Sequence, residues 1–209
     1  MNALDIIKQT KIVPIVTVEN VKDLFPILDI LKRNGINIVE ICFRNSSAAV
    51  SIKVANQNYP DMLIGAGTVL NKKQCLTAIE CGAKFIVSPG FSMRVYKLCK
   101  KHNVPYIPGV FTPSEIMNTL ELGIDIVKIY PVNIYGGLKM LKSLGQAFPG
   151  IKFLPADGVD NTNLKEFLEY NQIFACGGTW LTDGSLSEIN QKVEEASKII
   201  TNLKQLWNF

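Results

Sequence analysis

The chain of 209 residues is 47% apolar and 19% charged, with a net charge of +4. These values lie close to globular averages and exclude a disordered chain, a collagen-like fibre and a coiled coil. No apolar run approaches the roughly 20 residues that cross a bilayer, and Met1 to Lys11 lacks a basic region ahead of an apolar stretch, so a soluble cytoplasmic protein without a signal peptide is expected.

In chain order, a short helix precedes a regular alternation of strands and helices. Predicted strands are Ile12–Val18, Ile36–Phe43, Met62–Ala66, Phe85–Ser88, Pro105–Pro108, Ile126–Tyr130, Lys152–Pro155 and Ile173–Cys176. Helical patterns lie between them, among them Val21–Asn34, Lys72–Cys81, Pro113–Leu122, Asn163–Tyr170 and Glu188–Leu206. Strands that alternate with helices imply a parallel sheet covered on its faces. Eight such units make a single (β/α)8 barrel domain over residues 1–209 the expected fold. An open doubly wound sheet is the alternative, weakened because Pro14-Ile15-Val16-Thr17 stands where a GxGxxG would follow the first strand.

Several function classes drop out. Only Arg33, Arg44 and Arg94 of the 22 cationic residues are arginine, and no cationic stripe forms, so neither nucleic acid nor a membrane is an expected partner. Cys42, Cys75, Cys81, Cys99 and Cys176 form no CxxC pair and read as reduced thiols. With His102 as the one histidine, a His-rich metal site and a Ser-His-Asp triad are almost excluded. His102 lies in the polar stretch KLCKKHNVP and reads as a surface residue.

The chain also contains an internal repeat. NGINIVEI from Asn34, CGAKFIVS from Cys81 and LGIDIVKI from Leu122 each carry a glycine suited to stop a helix, then a strand. Aligned on Gly35, Gly82 and Gly123, the fifth residue onward is Glu40, Val87 and Lys128, on strands two, four and six. Alternate barrel strands feed one interior layer, and strands two and six face each other. Glu40 and Lys128 should therefore meet in the lumen.

Buried charges need compensation, so the pair calls for a reason. It could be a plain salt bridge, or the strand phase could be off by one residue. Chemistry supplies another reason. A lysine in a low-dielectric pocket becomes a usable amine nucleophile that forms a Schiff base with a ketone. A carboxyl group beside it can move the protons that this requires. Such a mechanism needs no metal or other cofactor, as in a class I aldolase.

Six motifs in fixed order then resemble one family: VEICFRN (Val39 to Asn45), GAGTVL (Gly65 to Leu70), VSPG (Val87 to Gly90), IPGVFTPSE (Ile107 to Glu115), VKIYP (Val127 to Pro131) and ACGGTW (Ala175 to Trp180). They are similar to the bacterial 2-dehydro-3-deoxy-6-phosphogluconate (KDPG) aldolases, also called 4-hydroxy-2-oxoglutarate (KHG) aldolases, from about Lys11 to Leu181. The resemblance implies that Lys128 forms the Schiff base and that Glu40 is a general acid/base acting through a water. It implies that Arg44 forks onto the substrate carboxylate, that Thr68 hydrogen-bonds the pyruvoyl end, and that Pro89 lines the pocket. Tyr130 would stack beside the lysine where the family usually has Phe. A homotrimer acting on a small 2-oxo acid is also implied. Bland readings stand beside these: Arg44 as a solvated cation, Gly65–Gly67 as a strand end, Thr68 as a helix cap.

For the phosphate end, barrels of this type use the loops after strands seven and eight. Gly177, Gly178 and Thr179 suit that task, as does Gly158. Asp157 is atypical, because PADG stands where the family usually reads Pro-Thr-Gly-Gly. Either Asp157 points outward and the substrate is phosphorylated, or the distal pocket takes an unphosphorylated or differently configured 2-oxo sugar acid. The rivals of another class are a phosphate-binding isomerase or synthase without covalent catalysis, and a non-catalytic sugar-acid-binding barrel.

Overall fold

Strands β1 (Ile12–Val16), β2 (Ile38–Cys42) and β3 (Leu63–Gly67) are buried at every position, as expected of parallel strands covered on both faces. In this computed structural model, which describes residues 2–207, they are joined by β4 (Ile86–Val87), β5 (Tyr106–Ile107), β6 (Ile126–Ile129), β7 (Lys152–Pro155) and β8 (Cys176–Gly178). Parallel pairing runs β5-β4-β3-β2-β1-β8, and β6 pairs with β7. Parallel bridges Gly109–Lys128, Phe153–Ile173 and Ala156–Gly177 join these two sheets on both sides. The eight strands therefore close into a barrel.

Helices α2 (Leu24–Arg33), α3 (Ala48–Asn58), α4 (Lys72–Glu80), α5 (Met93–His102), α6 (Pro113–Glu121), α7 (Gly137–Ala147), α8 (Leu164–Glu169) and α9 (Leu186–Trp207) follow the strands in turn. Their apolar stripes fasten them to the barrel. On α9 the buried residues Ile189, Val193, Ala196, Ile200 and Leu203 recur at helical spacing and pack towards α2 and α8. The repeat glycines adopt the left-handed conformation expected at helix stops, with φ of +76° at Gly35, +95° at Gly82 and +75° at Gly123.

The expected amino-terminal helix is α1 (Ala3–Thr10), opened by a reciprocal Asn2–Asp5 capping box. It shares a cleft with Pro60–Leu63, Lys84, Asn103 and Pro105, at the amino ends of β3, β4 and β5. The bottom of the barrel is thus partly covered, and the carboxyl ends of the strands are left for chemistry.

Boundaries differ from expectation by three residues at most, and the last strand is displaced at both ends, starting three residues and ending two residues later. Ile173–Cys176 is apolar and reads as a strand, yet only Ile173 bridges Phe153 there. The ladder with β1 starts at Cys176, opposite Ile12, and runs through Gly177 and Gly178. Two glycines disfavour a strand by propensity; the waiting edge of β1 overrides it. Thr68 is not a helix cap either. Asn71 caps α4, its side chain accepting the Gln74 N–H. Gly65 and Gly67 do lie at the end of a strand, and His102 is exposed at the end of α5.

Candidate active site

Glu40 and Cys42 alternate along β2 and so share its lumen face. Across the ladder they stand opposite Gly65 and Gly67 of β3. Those glycines make room for bulk from elsewhere. A β-carbon on Gly65 would lie 2.2 Å from the Phe85 ring, and one on Gly67 would lie 2.0 Å from Glu40 Oε1. Real atoms do not approach so closely, so the Glu40 carboxylate occupies space that only glycine leaves free.

Lys128 comes from the opposite wall. Its backbone is fixed on both sides, its N–H donating to Pro108 O at 2.8 Å and its carbonyl accepting the Val110 N–H at 2.9 Å. Gly109, between them, passes so near Pro89 that a β-carbon would sit 2.0 Å from the Pro89 carbonyl oxygen. The loops after β4 and β5 are in this way clamped beside the lysine.

The two charges meet. Lys128 Nζ lies 3.4 Å from Glu40 Oε1, with Glu40 fully buried and Lys128 6% exposed. The strand phase deduced from the glycine repeat is therefore correct, and the ion pair is real. An ion pair this dry is poor evidence for stability, because desolvation offsets much of the attraction. Glu40 Oε1 also takes a contact from Cys42 Sγ at 3.7 Å, while Oε2 has no hydrogen-bond partner among the described residues. Burial pushes the Cys42 thiol up to about 11, the charge of Glu40 adding to it and a hydrogen bond from Thr68 opposing it.

Above the pair opens a cavity of about 230 Å³ lined by Arg44, Thr68, Pro89, Lys128 and Tyr130. Five residues singled out in the sequence from five different loops or strands thus surround one space. Arg44 is exposed, two residues past the end of β2. Thr68 has a φ of +52°, a conformation that is costly for a β-branched residue and that tends to mark functional positions. The Tyr130 ring centroid lies 5.7 Å from Lys128 Nζ, within cation–π range.

The loops proposed for phosphate lie side by side, since Ala156 bridges Gly177, but they do not line this cavity. Asp157 and Gly158 are exposed and left-handed, with φ of +64° and +93°. Gly177 and Gly178 are buried and Thr179 is half-buried. A β-carbon on Gly178 would strike the Trp180 ring at 2.3 Å, so packing alone accounts for that glycine. Two larger clefts, about 490 and 410 Å³, flank α1 at the other end of the barrel. Their charged residues Asp61, Lys84 and Lys204 are all exposed, and neither cleft joins a buried amine to a buried acid.

Sequence reasoning missed two contributors, Cys42 and Gly67. Cys42 could have been found as the i+2 neighbour of Glu40, which any strand places on the same face. Gly67 carried no signal beyond that of a strand end.

Known proteins resemble this chain over nearly its whole length. The family described as "Aldolase: KDPG and KHG aldolase" matches residues 4–199. The 2-dehydro-3-deoxy-phosphogluconate aldolase of Haemophilus influenzae is 38% identical over 200 residues, covering 93% of this chain and 94% of the relative. The solved 4-hydroxy-2-oxoglutarate/2-dehydro-3-deoxyphosphogluconate aldolase from TTHB1 superposes with a TM-score of 0.89 at 32% identity, over 96% of this chain and 99% of its own. The KDPG aldolase of Legionella pneumophila, solved with pyruvate as a covalent carbinolamine intermediate, gives a TM-score of 0.85 at 28% identity over 97% and 98%. With the match spanning nearly its whole length, the chain belongs to the KDPG and KHG aldolase family.

Proposed function

We propose that the protein is a class I aldolase that cleaves 2-dehydro-3-deoxy-6-phosphogluconate to pyruvate and glyceraldehyde 3-phosphate. 4-Hydroxy-2-oxoglutarate, cleaved to pyruvate and glyoxylate, would share the same 2-oxo acid head. The observation that carries the proposal is Lys128 Nζ held 3.4 Å from Glu40 Oε1 at the base of a cavity whose other walls are Arg44, Thr68, Pro89 and Tyr130.

The steps follow from that arrangement. Lys128 gives up a proton and its nitrogen attacks C2 of the substrate. The carbinolamine loses water, and a protonated imine forms. Loss of the C4 hydroxyl proton lets the C3–C4 bond break; its electron pair moves into the imine and leaves an enamine, while C4 departs as the aldehyde carbon. Protonation of the enamine at C3 and hydrolysis of the imine release pyruvate and restore the amine. Glu40 carries these protons: Oε1 faces the amine, and Oε2 is the carboxylate oxygen left for proton traffic. Arg44 meets the substrate carboxylate, for which a guanidinium fork is well matched. Thr68 holds the same end by its hydroxyl, and Pro89 and Tyr130 shape the walls. No metal takes part, since the imine nitrogen is itself the electron sink.

The distal end of the substrate would meet Gly158, Gly177, Gly178 and Thr179. Exposure of Asp157 favours a carboxylate turned to water, and with it a phosphorylated substrate. The same exposure leaves a second reading, a 2-oxo sugar acid with a neutral distal end. The chain would act as one barrel domain, in the cytoplasm, where its five free cysteines would stay reduced. A homotrimer belongs to the same proposal, and the exposed apolar residues Met93, Met117 and Leu120 on the successive helices α5 and α6 are candidates for its interface.

The test is a coupled assay for pyruvate release from phosphorylated and unphosphorylated 2-oxo acids. Turnover of the phosphorylated 3-deoxy acid is expected. Ligand-dependent thermal stabilisation without turnover would mark a binding protein instead.

A further inference from the structure

We propose that Cys42 is a positioning residue of this reaction, its thiol holding Glu40 Oε1 in place while Lys128 is converted to the imine, an inference that rests on the aldolase reading. The contact itself is plain. Cys42 is 2% exposed, shares the lumen face of β2 with Glu40, and places its Sγ 3.7 Å from Glu40 Oε1. Oε1 has two partners, Lys128 Nζ and Cys42 Sγ, whereas Oε2 has none among the described residues.

Those two partners do not last equally. Imine formation replaces the ammonium and its three N–H donors by a trigonal nitrogen bonded to substrate with one, so the first partner changes shape and loses donors during the cycle. The thiol does not. With burial and Glu40 raising it to about 11 against the opposing influences of Thr68, Lys128 and Arg44, the sulfur keeps its hydrogen at neutral pH and can only donate to the carboxylate. Gly67 makes room for the carboxylate but has no side-chain donor to hold it, and Cys42 supplies one. Thr68, which lines the substrate cavity, acts on the same thiol, lowering it against burial.

A residue in this role matters most for proton movement at C3, because until the imine has formed Lys128 itself holds the carboxylate. Two readouts separate these: exchange of the pyruvate methyl protons with D2O, followed by NMR, and borohydride trapping of the pyruvate imine, followed by mass spectrometry. The parent protein is trapped first. Failure to form an adduct on Lys128 there refutes the aldolase reading itself, before Cys42 is addressed.

The variants are the matched pair Cys42→Thr and Cys42→Val, which have nearly the same shape and differ in a hydroxyl donor. Cys42→Val should lose about two- to fivefold in methyl exchange and in kcat, the worth of one weak S–H donor to a carboxylate. Its KM and its imine trapping should stay near those of the parent. Cys42→Thr should keep most of the exchange rate. The inference is overturned when the two variants exchange at the same rate, fast or slow, or when Cys42→Thr is the slower. If either β-branched variant fails to fold, Cys42→Ser and Cys42→Ala make the same comparison with the same outcomes.

Discussion

Gly67 and Glu40 are matched so closely that a β-carbon on the first would lie 2.0 Å from Oε1 of the second. The strand next to the acid has thus given up its side chain to admit the carboxylate. Gly67→Ala should fold, at a cost of about 1–3 kcal/mol for overpacking, and should turn over as poorly as a Glu40 variant because the carboxylate must swing off Lys128. Urea unfolding together with kcat measures both. Full activity in Gly67→Ala would mean that Glu40 works from another position.

Glu40→Gln removes the proposed proton carrier and keeps its shape. A fall of about 10²- to 10⁴-fold in kcat is expected, the usual range for a general acid/base, with the pyruvate imine still trapped by borohydride. Unchanged turnover would remove Glu40 from the chemistry and leave it as a partner for the lysine charge.

Asp157→Gly should lower KM for a phosphorylated substrate severalfold and leave that for an unphosphorylated one unchanged. A carboxylate about 4 Å from a phosphate charge is repelled by roughly 4 kcal/mol at an effective dielectric near 20, and solvent at this exposed site reduces that figure. Glycine also suits the left-handed backbone found there, with φ of +64°. Equal KM values before and after the change would put Asp157 outside the site.

The rim of the barrel after β5 depends on a capping box at α6. Thr112 accepts the Glu115 N–H, and Glu115 Oε2 takes the N–H groups of Thr112 and Phe111. Partial burial would raise the Glu115 carboxyl, but these donors and the Thr112 hydroxyl outweigh it and hold it below the ordinary value. A carboxyl lowered on folding stabilises above its unfolded value and loses that contribution as pH falls through the folded one. Thr112→Ala should therefore cost about 1 kcal/mol at neutral pH, and the difference from the parent should shrink below pH of about 4. Urea unfolding at pH 7 and pH 3 reads this directly; an equal difference at both would deny the box its charge.

Much of the site was legible because two periodicities agree. Gly35 and Gly123 stop helices at the same distance from Glu40 and Lys128, and an alternating strand then decides which way each side chain points. Facing strands of a barrel do the rest. Cys42 was hidden because a cysteine among Val, Ile and Phe reads as one more apolar core residue. Gly67 was hidden because what it provides is space, which periodicity does not encode. The shift of β8 to Cys176–Gly178 came from a partner strand more than 160 positions away in sequence, beyond the reach of local propensity. Gly178 was assigned to phosphate from its place in CGGTW, whereas the Trp180 ring already requires it.

The most direct measurement is reduction with borohydride in the presence of pyruvate, followed by peptide mass mapping. A single adduct on the peptide bearing Lys128, absent from Lys128→Ala, is expected. No adduct, or one mapped to another lysine such as Lys11 or Lys152, would contradict the assignment.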